Sequence, residues 1–202
     1  LSLDATIALQ NIEFFALLEA MKSIEDIRSP SKNELASLEK YFNDGRLNEA
    51  EKLAVSLTQK FPKHQFGWKV LGIVLNQKGE IAESLIPCQR AVQLAPRDVD
   101  AHYNLGVTFE ALNRLKESEA SLLQAIALKP DFAEAHADLG NTLRQMGRLE
   151  EAEAALTQAI TLKPSFAEAH SDLGNTLKEM GRLEEAEVAL TQTIAMKPDL
   201  QK

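Results

Sequence analysis

The sequence predicts an all-α solenoid of five helix-turn-helix hairpins, and three observations predict it. Pro62, Pro96, Pro130, Pro164 and Pro198 recur at intervals of 34 residues, a period typical of stacked repeats. Leu71, Leu105, Leu139 and Leu173 keep the same spacing and are followed by Gly72, Gly106, Gly140 and Gly174. The composition, rich in Ala and Leu with 5% aromatic residues, suits helices packed through small and aliphatic side chains.

Taken in chain order, residues 1–30 come first. Ile7, Phe14, Leu18, Met21 and Ile24 lie near helical spacing, and Asp4 is placed to cap a helix running to Ile27. This segment is expected to cap the first repeat, with an oligomerisation or membrane-surface helix as the alternatives; a basic polar face for the last is missing. Gln10, Asn11, Glu13 and Glu19 interrupt its apolar run, so it reads as neither signal peptide nor membrane span. Ser29 and Pro30 mark a break.

Five repeats are expected over 31–64, 65–98, 99–132, 133–166 and 167–200. In each, the Leu-Gly pair and a further apolar residue (Leu75, Phe109, Leu143, Leu177) define the inward face of a first helix. Gly45, Gly79, Asn113, Gly147 and Gly181 follow, residues that tolerate the left-handed backbone that a helix C-terminus commonly needs. The second helix carries Ala50, Ser84, Ser118, Ala152 and Ala186, whose small side chains allow close approach, and then Ala91, Ala125 and Ala159. The proline ends it, because the residue before proline is pushed out of helical geometry.

Two repeats depart from the pattern. The first carries Ser37 and Leu38 where later ones have Leu-Gly, although Ser31 and Glu34 have capping-box spacing. In the second, Pro87 falls inside the second helix, where the lost donor costs about 3 kcal/mol and predicts a kink or a late start. Segments 133–166 and 167–200 agree at 25 of 34 positions, which points to recent duplication. The chain begins at Leu1, not Met, and four residues follow Pro198 with no polar closing helix. It is therefore expected to be part of a longer protein, or to stack end to end through that hairpin or the N-terminal helix as a homo-oligomer.

The net charge of -8 and the absence of basic runs argue against a nucleic-acid partner. Cys88 alone can form no internal disulfide and fits a reducing compartment, which favours the cytoplasm. It shares a column with Leu122, Leu156 and Leu190, so burial is expected in place of nucleophilic chemistry. His102, His136 and His170 also form a column, but packed helices lie about 8–10 Å apart while metal ligands sit about 2 Å from an ion. Trp68 occupies the same column, which marks a packing position. Glu150, Glu151, Glu184 and Glu185 open second helices, where carboxylates suit the positive end of the helix dipole. No catalytic site, metal or cofactor is expected.

The Leu-Gly pair, the turn glycine, the small residue of the second helix and the closing proline together resemble tetratricopeptide repeats. That resemblance implies a right-handed solenoid whose first helices line a concave groove. Between 133–150 and 167–184 the differences are Ala137 against Ser171, Arg144 against Lys178 and Gln145 against Glu179, which fall on one helix face. Asp138, Asn141, Asp172 and Asn175 lie on or beside it. By the resemblance this is the peptide-binding face, comprising Tyr103, Asn104, Asp138, Asn141, Arg144, Gln145, Asp172, Asn175 and Lys178. Asparagine can both donate to and accept from a peptide backbone. Asp100, Glu134 and Glu168 place negative charge at the groove's mouth, with Arg144 and Lys178 deeper, so a basic or neutral polar peptide is the expected partner.

The stretch from Ala133 to Leu143, with Gly147 to Glu153, is most similar to the O-GlcNAc transferase array. That family keeps a ladder of asparagines before the Leu; Asn104 matches it, whereas Asp138, Asp172 and Val70 stand in the corresponding places. Chaperone-tail binding is not expected, because Ala137, Ser171, Asp138 and Asp172 replace the residues of a carboxylate clamp. The leading expectation is a protein-interaction scaffold. The alternatives are a non-catalytic recruiting arm of a glycosyltransferase, sulfotransferase or oxygenase, and a self-assembling structural module.

Overall fold

A computed structural model describes residues 29–196, and the described part is all-α. Ten helices form five consecutive hairpins: α1 (Lys32–Asn43) with α2 (Leu47–Lys60), α3 (Gln65–Gln77) with α4 (Ile81–Leu94), α5 (Val99–Ala111) with α6 (Leu115–Leu128), α7 (Ala133–Gln145) with α8 (Leu149–Leu162), and α9 (Ala167–Glu179) with α10 (Leu183–Met196). The N-terminal helix expected over Asp4 to Ile27 and the closing Pro198 lie outside the described residues. Packing divides into two compact units at Leu71 and Gly72, within α3.

In the first unit the capping box closes as the spacing predicts. Glu34 N donates to Ser31 Oγ at 3.2 Å and Ser31 N donates to Glu34 Oε2 at 2.9 Å. Leu38 of α1 and Ala50, Ala54 and Leu57 of α2 are buried. Trp68 Nε1 donates to the Pro62 carbonyl at 3.0 Å, tying α3 to the turn before it.

In the second unit the Leu-Gly column has a steric cause. A Cβ added to Gly106, Gly140 or Gly174 would lie 2.7, 2.5 or 2.6 Å from the Cγ of Leu122, Leu156 or Leu190 on the returning helix. Cys88 takes that leucine place beneath Gly72, and burial pushes its thiol pKa up, away from thiolate chemistry. The facing column, Ser84, Ser118, Ala152 and Ala186, is buried as well.

The turn between helices is built alike in every hairpin. Gly147, at φ 76°, is followed by Arg148, whose N–H reaches back to the Leu143 carbonyl at 3.0 Å, the wrap that closes a helix C-terminus. Asn113 takes the same left-handed conformation at φ 57°, which its short polar side chain permits. Pro87 causes no late start: α4 runs from Ile81 with the buried proline inside it. Glu83, whose carbonyl lacks its usual helical partner, is exposed.

The histidine column repeats the bond made by Trp68. Nε2 of His102, His136 and His170 each lies 3.0 Å from the carbonyl of Pro96, Pro130 and Pro164. Indole can only donate, so the shared requirement is an N–H, which histidine meets with its Nε2–H tautomer.

Buried hydroxyls join successive hairpins. Asn76 bridges Ser84 to Thr108, donating to Thr108 Oγ1 at 2.8 Å, and Ser118 Oγ lies 3.2 Å from Thr142 Oγ1. At the next junction Ala152 replaces the serine, and Thr176 bonds within its own helix to the Asp172 carbonyl at 2.8 Å.

Candidate functional site

The expected site residues all lie on the first helices α5, α7 and α9, and the structure joins five of them in two groups, Tyr103 with Asp138, and Asn141, Arg144 and Gln145 around Glu110. The Tyr103 ring packs 4.9 Å, centroid to centroid, from Phe132, and its hydroxyl donates to the Asp138 carboxylate on α7. Burial, and then the charge of Asp138, pushes the phenol pKa well up. Asn141 Nδ2 and Gln145 Nε2 both donate to Glu110 Oε1, at 2.6 and 2.7 Å. Arg144 spans two helices, donating from Nη2 to Asn141 Oδ1 at 2.7 Å and from Nη1 to Glu179 Oε1 at 2.8 Å. Asn104 and Asp172 are half-buried, whereas Asn175 and Lys178 are exposed on α9.

Electrostatically this face is acidic and strained in charge. Burial and the neighbouring Asp138 raise the Glu110 pKa to about 7, against the hydrogen bonds from Gln145 and Asn141. Asp138 is raised to about 6, chiefly by burial and also by the charges of Glu168, Asp172 and Glu134, with the Tyr103 bond opposing. Asp172 moves upward for the same first reason, then through Glu168. Among the described residues none of these three forms an ion pair with a lysine or arginine, although the charge of Arg144 offsets part of the rise at Asp172.

Three expectations change at this level. Ala137 does not belong to the open face: it is 2% exposed, packed with Leu156, Ala159 and Ala169. Arg144 does not present free positive charge, because Glu179 pairs with it. Glu134 does not contribute uncompensated negative charge at the mouth, since Lys163 Nζ lies 2.8 Å from its Oε1. Glu110 went unrecognised. Arg144 and Lys178 fill its column in later repeats, so the acid has no counterpart in the two most similar repeats. The column itself, Glu110, Arg144, Lys178, was the signal that could have found it.

In each acid pair that opens a second helix, one member, Glu151 or Glu185, is held by the arginine before the helix. Arg148 binds both oxygens of Glu151 and reaches Glu119 of the preceding hairpin at 2.6 Å; Arg182 does the same with Glu185 and Glu153. Among the described residues no group of three His, Cys, Asp or Glu side chains could hold a metal ion, and no helix is long and apolar enough to cross a membrane. A separate cleft of roughly 370 Å³ lies between α8, α9 and α10, lined by Ile160, Leu173, Leu177 and Val188.

Sequence comparison matches tetratricopeptide repeats at residues 99–132, 121–154, 140–181 and 167–200, which together run unbroken over half of the chain. No curated protein matches. The fold is similar to MamA 41-end from Desulfovibrio magneticus RS-1, with TM-score 0.75 and 19% identity over 85% of this chain and 97% of that one. A second MamA structure gives 0.71 and 22%, covering 80% and 95%. YrrB, a tetratricopeptide protein with an unusual peptide-binding site, gives 0.71 and 21%, covering 89% and 92%. At these identities the likeness is one of fold. The repeating hairpin, its steric glycine column and the family match lead to one conclusion: the chain belongs to the tetratricopeptide repeat proteins.

Proposed function

We propose that this chain is a non-catalytic protein-interaction scaffold and that the first-helix face of α5, α7 and α9 binds an extended peptide that is basic or neutral polar. The carrying observation is the crowding of Glu110, Asp138 and Asp172 on that face with no bonded cation, each lifted in pKa by burial. A lysine or arginine laid among them relieves their mutual repulsion, which an acidic peptide aggravates. The peptide-binding site described for YrrB, a protein of similar fold, supports the same reading.

Fluorescence anisotropy with short synthetic peptides tests it. Peptides of Lys, Ser and Asn should bind in a salt-sensitive way, and Glu-containing counterparts should not. The double change Asp138→Asn with Asp172→Asn should weaken the basic peptide about tenfold, equivalent to about 1.4 kcal/mol. Equal binding of acidic and basic peptides would refute the charge preference.

Two finer readings belong with this proposal. The similarity of residues 133–153 to the O-GlcNAc transferase array supports placing the repeats with that type. Self-association through the last hairpin is supported by Leu183 and Val188 on α10, which are 63% and 61% exposed. Light scattering over a concentration series checks it; a constant monomer mass would eliminate it.

A further inference from the structure

The asparagines Asn141 and Asn175 occupy the same place in successive repeats, yet their surroundings differ. Asn141 has both halves of its amide in use: Nδ2 donates to Glu110 at 2.6 Å, and Oδ1 accepts from Arg144 at 2.7 Å. Gln145, one turn further along α7, is held by the same Glu110 oxygen at 2.7 Å. The residue that stands to Asn175 as Glu110 stands to Asn141 is Arg144. A guanidinium offers no acceptor, and this one is directed to Asn141 and Glu179. Asn175 is accordingly exposed, and its side chain makes no hydrogen bond within the described residues.

We propose that Glu110 is a latch that holds Asn141 and Gln145 within the array, so that Asn175, and not its counterpart Asn141, is the asparagine open to a partner backbone. The inference rests on the peptide-binding reading for its consequence but not for its geometry. An ionised Glu110 accepts both amide bonds with charge assistance; a protonated one holds them more weakly. The charged groups that act on it are Asp138 from α7 and Asp172 from α9, while Arg144 of α7 is committed to Asn141 and Glu179. On the returning helix and its turn, Arg114 is paired with Glu117 and Glu119 with Arg148; on the preceding hairpin, Lys78 is paired with Glu80. Burial first, and then the charge of Asp138, holds the Glu110 pKa at about 7. The latch is closed above that value and loosens below it.

Side-chain amide NMR tests the latch without any ligand. Between about pH 5 and about pH 8, the Asn141 and Gln145 amide signals should titrate together with a midpoint near 7, while that of Asn175 stays still. Glu110→Gln, checked for folding by circular dichroism, should abolish the titration. A flat Asn141 signal, or a titration that survives Glu110→Gln, would overturn the proposal. With the synthetic Lys, Ser and Asn peptide at about pH 8, Asn175→Ala should weaken binding about tenfold and Asn141→Ala should have little effect. In a Glu110→Ala background Asn141→Ala should gain an effect. Equal effects of the two asparagines at that pH would also overturn the latch. A clear titration with no peptide binding would leave the latch standing and remove the proposed function.

Discussion

Gly140→Ala isolates the steric basis of the fold. Gly140 lies in α7 against the returning helix α8, and an added Cβ would meet Leu156 Cγ at 2.5 Å, Leu156 Cδ2 at 3.0 Å and the Ala152 carbonyl oxygen at 3.2 Å. Leu156 is wholly buried and the third neighbour is helix backbone, so the clash is relieved only by moving α7 away from α8. Overpacking of this kind costs about 3 kcal/mol at the upper end of its usual range, while alanine regains about 1 kcal/mol of helix propensity over glycine. The net expectation is a loss of about 2 kcal/mol, or a fall of roughly 4–8 °C in melting temperature for a domain of this size. Urea unfolding followed by circular dichroism measures it. In a Leu156→Ala background, which removes the two nearest contacts and leaves the Ala152 carbonyl oxygen at 3.2 Å, Gly140→Ala should destabilise much less. If Gly140→Ala alone raises stability by about 1 kcal/mol, propensity governs the position and the steric account is wrong.

Three further outcomes follow from other contacts. Gly147→Ala meets no atom within 4 Å, so its cost of about 1–2 kcal/mol comes from the left-handed backbone; Gly147→Asn should cost less, as Asn113 shows, and equal losses in the same unfolding assay would contradict this. His136→Ala should cost about 1 kcal/mol through the lost bond to Pro130, whereas His136→Trp should retain stability because Trp68 makes the equivalent bond. The pH dependence follows from Glu110: its pKa rises from near 4.5 unfolded to about 7 folded, so the folded state holds its proton more tightly, and stability falls as pH rises across that window. After discounting for its partial exposure, Glu110→Gln should be more stable than the native chain by about 1–2 kcal/mol at about pH 8 and near equal at about pH 4. Melting curves at the two pH values decide it.

The fold was legible because its determinants are local and repeated. A steric glycine, a left-handed turn residue, a small buried residue and a terminating proline each recur in fixed register, and each has a cause that operates within one hairpin. The His and Trp column read as packing for the right reason, since four residues of that column make the same bond to a proline carbonyl. The candidate site was less legible because its bonds run between repeats. Glu110 and Asn141 are 31 residues apart, and Arg144 and Glu179 are 35 apart, offsets at which the columns hold different residue types. Comparing repeats reveals what is constant; these pairs exist where the repeats diverge. Ala137 shows the reverse error, a variable position that is buried because alanine and serine are both small enough for the same space.

The hydroxyl seam through the array bears on how such a chain lengthens. Two junctions carry matched partners, with Asn76 joining Ser84 to Thr108 and Ser118 meeting Thr142, so a hairpin inserted there must bring its own complement or lose the bond that crosses the joint. The junction between the fourth and fifth hairpins differs in that Ala152 carries no hydroxyl to pair with Thr176, which bonds within its own helix as Thr108 also does. A further copy of residues 133–166 added at that joint would meet a neighbour it already fits. The two hairpins there agree at 25 of 34 positions, the signature expected of an array that grows by copying at the one joint among these three that no hydroxyl pair spans.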